Sequence, residues 1–194
     1  MKRKIFREDI LNAGQDLMFV NGYNATGIKQ ITDYVKIPKG SFYNHFENKE
    51  AFALEVLTKY CERGIAYHKK CLVQDKNTSP LERLRTMYQS MVDSYMNRDY
   101  KLGCMMSNFS AELGDTNENF RKVLEHEFSE IQSIIKSVIE EAKNHKQIDQ
   151  NIDSETTASF ILNSWHGALI RMKSSSNGKP LQGFMDLTFN QILT

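Results

Sequence analysis

The apolar residues of this chain return every three or four positions over nearly its whole length, and that spacing admits few folds. Ala158, Ile161, Leu162, Trp165, Ala168, Leu169 and Met172 fall at offsets 0, 3, 4, 7, 10, 11 and 14. Phe120, Val123, Leu124, Phe128, Ile131, Ile134, Ile135, Val138, Ile139 and Ala142 mark a longer stripe of the same kind. No alternating pattern of useful length suggests a strand. With only three prolines and ten glycines in 194 residues, the chain is expected to be all-α, with about nine helices.

Breaks and caps divide the pattern. A first helix, with Ile10, Gly14, Leu17 and Met18 on one face, stops near Asn21-Gly22. Thr26 is expected to cap a second, short helix carrying Ile28, Ile31 and Val35. Pro38 ends it, because proline disfavours helical conformation in the residue before it. A third helix is expected over about Lys39–His45. Asn48 would cap a fourth, running through Phe52, Val56 and Tyr60 to about Lys70. Leu72–Ser79 reads as a polar loop. Ser79-Pro80-Leu81-Glu82 has the form of a capping box with proline at the first helical position, starting a helix to about Arg98. Gly103–Leu113 is a shorter helix, and Leu181, Phe184, Met185, Thr188 and Ile192 form the last stripe. The division expected is a helix-turn-helix head over 1–47 and a helical body over 48–194.

Composition excludes several classes. Hydrophobic residues at 40% and charged residues at 25% are ordinary globular values. No apolar run reaches the roughly 20 residues of a membrane span, and the basic start lacks the apolar core of a secretory signal. Three cysteines, an odd number, argue against a secreted disulfide framework. A cytoplasmic location is expected. Residues 1–49 hold eight basic and five acidic side chains, leaving a net of −2 on the remainder of a chain whose total is +1. A modest basic patch on the head suits phosphate contact, although a solvated basic end would look the same.

The stretch Ala25–Phe52, "ATGIKQITDYVKIPKGSFYNHFENKEAF", holds the chemistry. Two short helices joined by a tight turn and packed on a longer one describe a helix-turn-helix unit, whose second helix enters the major groove of DNA. Small Gly40 and Ser41 beside Tyr43, Asn44 and His45 would let that helix approach base edges. Phe42 and Phe46 would anchor it. Lys39 and Lys49 stand where ammonium groups meet phosphates, and Thr26 with Gly27 opens a helix whose first amides can bind one.

At these residues the chain resembles the TetR (tetracycline repressor) family of bacterial transcription regulators. The matching features are the threonine before the second helix, the turn "VKIPKGSFYNHF" and "ENKEAF" opening the fourth. Ile37 departs from the family's usual small polar residue there. The resemblance implies that Lys39, Gly40, Ser41 and Tyr43 reach bases or nearby backbone, that Thr26, His45 and Lys49 hold phosphates, and that Asn44 does either. It also implies a homodimer on a palindromic double-stranded operator, a repressor's role, and an inducer-binding body. "GCMMSNFSAEL" and "WHGALIRMK" are similar to the branch that senses electrophiles and oxidants, in which a cysteine at Cys104 is the sensor and a lysine at Lys173 lies near it.

For the body, the sequence leaves choices open. Ile161, Trp165, Ala168, Leu169 and Met172, with Phe184 and Thr188, are the expected dimer stripe, yet intramolecular core would show the same period. Met87, Met91, Tyr95, Phe109, Phe128 and Trp165 suit an adaptable apolar pocket for a small apolar or electrophilic inducer, and equally suit plain core. Cys104 follows Gly103 near a helix start, which favours a thiolate, whereas burial would make it inert. Cys61, His68 and Cys71 share a helix face but lack the spacing and fourth ligand of a zinc site, so no metal or cofactor is expected. "HEFSE" lacks the second histidine of a metalloprotease helix, and no phosphate loop or nucleophile elbow occurs. An enzyme is not expected. A helical metal- or protein-binding module without sequence-specific DNA binding is the alternative.

Overall fold

The computed structural model describes residues 6–75 and 77–194. Among these it contains nine α-helices and no strand: α1 Arg7–Asn21, α2 Ile28–Val35, α3 Lys39–Tyr43, α4 Lys49–Lys69, α5 Pro80–Met96, α6 Met105–Leu113, α7 Glu118–Asn144, α8 Ser154–Ser175 and α9 Lys179–Leu187. Two of them close in π-helical turns, α4 through Lys70–Gln74 and α9 through Thr188–Ile192. None of the described helices is long and apolar enough to cross a membrane.

Local chemistry sets most boundaries. The Asn48 side chain accepts the Ala51 amide at 2.8 Å and opens α4. Ser79 accepts from Glu82 N at 3.4 Å, with Pro80 at the first helical position of α5. Asp153, which the periodicity had no means of marking, caps α8 through the Thr156 amide at 2.8 Å. Among the corrections to the sequence reading are two boundaries. The second helix begins from Gly27 with no side-chain cap, because the Thr26 hydroxyl donates instead to the Gly22 carbonyl at 2.7 Å. The polar loop after α4 starts later than Leu72, since Leu72 is buried and the π-helical turn carries the chain to Gln74.

The chain divides into two compact units, one comprising residues through Glu62 with Cys104–Glu125 and the other Arg63–Gly103 with His126–Thr194. In the first, Phe42, Phe46 and Phe52 form a triangle with ring centroids 4.7–5.2 Å apart. The Arg7 guanidinium lies 4.6 Å over Phe46 and is ion-paired with Glu55. Tyr23, Phe109 and Phe120 make a second aromatic group. In the second unit Tyr88, Trp165 and Phe184 stack within 5.1 Å of one another, and burial pushes the Tyr88 phenol far up.

Gly14 lets α1 approach α4 closely. A Cβ there would stand 2.2 Å from Phe52 Cζ and 3.2 Å from Val56 Cγ2. Phe52 cannot simply swing away, because Phe42 and Phe46 hold its ring. Gly14→Ala is therefore expected to lower stability by about 1–3 kcal/mol, the usual range for an overfilled core. Urea unfolding of the two proteins compares the stabilities; an unchanged or raised midpoint would contradict the packing argument.

Candidate nucleic-acid interface

The turn between α2 and α3 is built from local sequence. Lys36 caps α2 in the left-handed region at φ +60°. The Ile37 amide then donates back to the Thr32 carbonyl at 2.9 Å, a six-to-one closure that ends a helix sharply. Pro38, extended at φ −61° and ψ 143°, opens α3. The third helix is only five residues and stops at Tyr43, two short of expectation. Asn44 and His45 follow in a turn where the His45 and Phe46 amides both donate to Phe42 O. Phe42 and Phe46 point inward and are buried.

The outward side presents what the sequence nominated. Lys39, Gly40, Asn44 and His45 are exposed, Ser41 is half-buried, and Tyr43 is 50% exposed. A Cβ on Gly40 would meet nothing within 4 Å, so packing within the chain does not require glycine there. Two nominated residues are placed otherwise. Thr26 is fully buried with its hydroxyl on Gly22 O, and so offers no side-chain contact at the surface. Lys49 is half-buried. Its ammonium lies 4.3 Å from the Tyr23 ring and donates to Asn24 O at 3.4 Å, and burial holds its pKa below the ordinary lysine value, against the pull of Glu112. Gly27 is exposed, and among the described residues no side-chain cap bond to the start of α2 is seen.

One carboxylate supports this surface from far along the chain. Glu112, on α6, accepts the Tyr23 amide at 2.8 Å and the Asn24 amide at 2.6 Å. Gly22 makes room for it, with φ +82° and a would-be Cβ only 2.7 Å from Glu112 Oε2. Nothing in the local sequence signals a contact spanning 88 and 89 residues.

The expected pocket residues belong to both units. Phe109 packs in the first unit with Tyr23 and Phe120. Met87 and Trp165 are buried in the second, Met91 and Phe128 are half-buried, and Tyr95 donates its hydroxyl to Gly103 O at 3.0 Å. A groove of about 380 Å³ does lie along α5 and α9, but polar residues such as Glu82, Gln89 and Asp93 line it and none of the expected residues do. Cys104 is the N-cap residue of α6, 8% exposed, and its Sγ accepts from the Tyr60 hydroxyl at 3.7 Å. Cys71 is the more open thiol. Exposed Lys173 runs along Gly103, where a Cβ would stand 2.9 Å from Lys173 Cδ.

The expected dimer stripe is turned inward. Ile161, Trp165, Leu169, Met172, Phe184 and Thr188 are buried within the single chain, and Ala168 is half-buried. They form core because α8, α9 and α5 close over them. Outward on α8 stand Phe160, 45% exposed, Ile170, 54% exposed, and Gly167; on α9 stand Gly183 and Leu187. Both glycines face open space.

Comparison with known proteins agrees with this architecture. Residues 10–56 match the model described as bacterial regulatory proteins, tetR family, and residues 80–188 match the tetracyclin repressor-like C-terminal domain. The HTH-type transcriptional repressor DhaR of Mycobacterium sp. (strain GP1) is 30% identical over 196 residues, covering 100% of this chain and 95% of that protein. The HTH-type transcriptional repressor NemR of Escherichia coli (strain K12) is 25% identical over 97% of this chain and 94% of its own. The crystal structure of a regulatory protein TetR from Rhodobacter sphaeroides superposes with a TM-score of 0.88 at 25% identity, covering 96% of this chain and 98% of that one. Two domain matches in the family's order and a full-length relative place the helix-turn-helix surface in a known setting: this chain belongs to the TetR family of bacterial regulatory proteins and is a DNA-binding transcriptional regulator.

Proposed function

We propose that the protein is a dimeric repressor, acting in the cytoplasm, that leaves a palindromic operator when a small apolar or electrophilic inducer meets its body. Residues 1–47 read the DNA and 48–194 sense and pair. The observation that carries the reading is the outward side of α3 and the turn after it, which is polar and, apart from half-buried Ser41, exposed, while Phe42 and Phe46 fix its inner side. Lys39, Gly40, Ser41 and Tyr43 reach bases or adjacent backbone, with Asn44 and His45 beside them. The open amides at the start of α2, from Gly27 onward, receive a phosphate in place of the Thr26 side chain. DhaR and NemR are both named repressors, which supports the sign of the regulation.

Pairing through Phe160, Gly167 and Ile170 on α8 with Gly183 and Leu187 on α9 follows from their exposure, since open glycines let helices of two copies approach closely. A pair of heads would then span half-sites about 34–36 Å apart. On the sensing side we place Cys104, the N-cap residue of α6, whose sulfur accepts from the Tyr60 hydroxyl.

Selection of bound duplexes from a random pool is expected to return a palindrome. Tyr43→Ala should weaken binding to it by about 1–3 kcal/mol, the worth of a good base contact, with only a small drop in melting temperature because the ring, though edge-on to Phe42, is 50% exposed. A consensus without two-fold symmetry, or full affinity in Tyr43→Ala, would overturn the reading. N-ethylmaleimide should release the selected operator from the wild type and not from Cys104→Ser. Release that follows labelling of Cys71 instead would remove Cys104 from the sensing role.

A further inference from the structure

We propose that Glu112 is a positioning residue for DNA binding: from α6 its carboxylate holds the α1–α2 turn, and through that turn the amino end of α2, in the orientation that meets DNA. The inference rests on the proposed phosphate contact at that end. An acidic side chain beside a DNA-binding surface is unexpected, because it should repel phosphate. Here both of its oxygens are engaged inward, one on the Tyr23 amide at 2.8 Å and the other on the Asn24 amide at 2.6 Å.

Among the described residues, Glu112 alone is seen to accept the amides in the first half of the turn. The Gly22 amide closes α1 on Met18 O, and Thr26 secures the second half, its amide on Tyr23 O and its hydroxyl on Gly22 O. The amides of residues 23 and 24 point at Glu112. Beyond Thr26 the chain passes at once into Gly27 and α2, so the direction of the turn sets that of the first free amides. The same carboxylate attracts Lys49, whose ammonium caps the Tyr23 ring and reaches Asn24 O. Glu112 thus organises a backbone nest and a lysine.

The test is Glu112→Gln in the full chain, read on the selected operator. The side-chain amide has one oxygen to offer two N–H groups, so one amide loses its partner and the turn its fixed direction. Operator affinity should fall about tenfold or more, the worth of a lost hydrogen bond to a charged carboxylate. The slope of log K against log salt should shrink by about one phosphate. Backbone exchange should accelerate at Tyr23 and Asn24 and stay unchanged in α3. Gly22→Ala, which drives a methyl against Glu112 Oε2 while keeping its charge, should weaken binding in the same way. A residue that merely repels DNA predicts the opposite: Glu112→Gln would bind more tightly, and that result overturns the proposal, as does unchanged affinity in both variants. Absence of operator binding by the wild type would instead overturn the DNA-contact reading itself.

Discussion

Phe42→Ala is expected to lower the stability of the first unit by about 3–5 kcal/mol, the usual cost of emptying a buried aromatic site, and to abolish operator binding. Phe42 is 0% exposed, and its ring meets Phe46, Phe52 and Tyr43 at centroid distances of 5.1–5.5 Å. The helix that carries it has only five residues, far below the roughly 12–15 that an isolated helix needs in water. Its order therefore comes from packing, and Phe42 supplies the central contact. The His45 and Phe46 amides donate to the backbone carbonyl of the same residue, so the turn bearing Asn44 and His45 hangs from the point where the ring anchors the chain. Against a total stability of about 5–15 kcal/mol the loss is a large fraction. Phe42→Leu, which leaves a smaller void, should recover most of both properties. Urea unfolding and gel shift measure the two effects; a loss under 1 kcal/mol, or retained operator binding by Phe42→Ala, would show that α3 is held by something else.

How far the sequence revealed this molecule depends on the range of each interaction. Helices were legible because their causes are local: a 3.6-residue period, Asn48, and Ser79 before Pro80 all act within one turn. The polar face of α3 was legible because Phe42 and Phe46, four apart, fix which way it turns. The inward side of α8 was not. Ile161, Trp165, Leu169 and Met172 form one apolar stripe and Phe160, Gly167 and Ile170 another; an interface between copies is built from the same residue types as a core, so period alone gives no preference. Thr26 was misread because a hydroxyl at that place has two carbonyl or amide partners within reach, and the turn, not the helix, took it. Glu112 was invisible because its contact depends on the tertiary fold.

Acidification from pH 7 to 5 is expected to remove about 2 kcal/mol of stability through His166 alone, at 1.36 kcal/mol per pH unit for each proton the unfolded chain takes up and the native one refuses. His166 meets the Phe128 ring edge-on at 5.0 Å. Burial first, and then the neighbouring charge of His68, hold its pKa down to about 4. His68 is itself buried; its Nδ1 lies 2.8 Å from Gly64 O, which favours the charged form, but burial outweighs that contact and its pKa is also lowered. The sign follows from the two states. Above the ordinary histidine value of about 6.5 both rings are neutral whether the chain is folded or not, and the stability is whole. Below it the unfolded chain binds protons that the folded body excludes, and stability declines until the folded value near 4 is reached. Asp75, Asp153 and Glu155 are held below the usual carboxylate range by hydrogen bonds from Thr78, Thr156 and Lys136 respectively, so their own losses fall at lower pH and leave the window from 7 to 5 to the histidines. His166→Phe, which keeps the ring contact and removes the titration, should flatten the curve of urea stability against pH in that window. A slope as steep in His166→Phe as in the wild type would assign the acid sensitivity to other groups, and a wild-type stability that rises on acidification would reverse the argument.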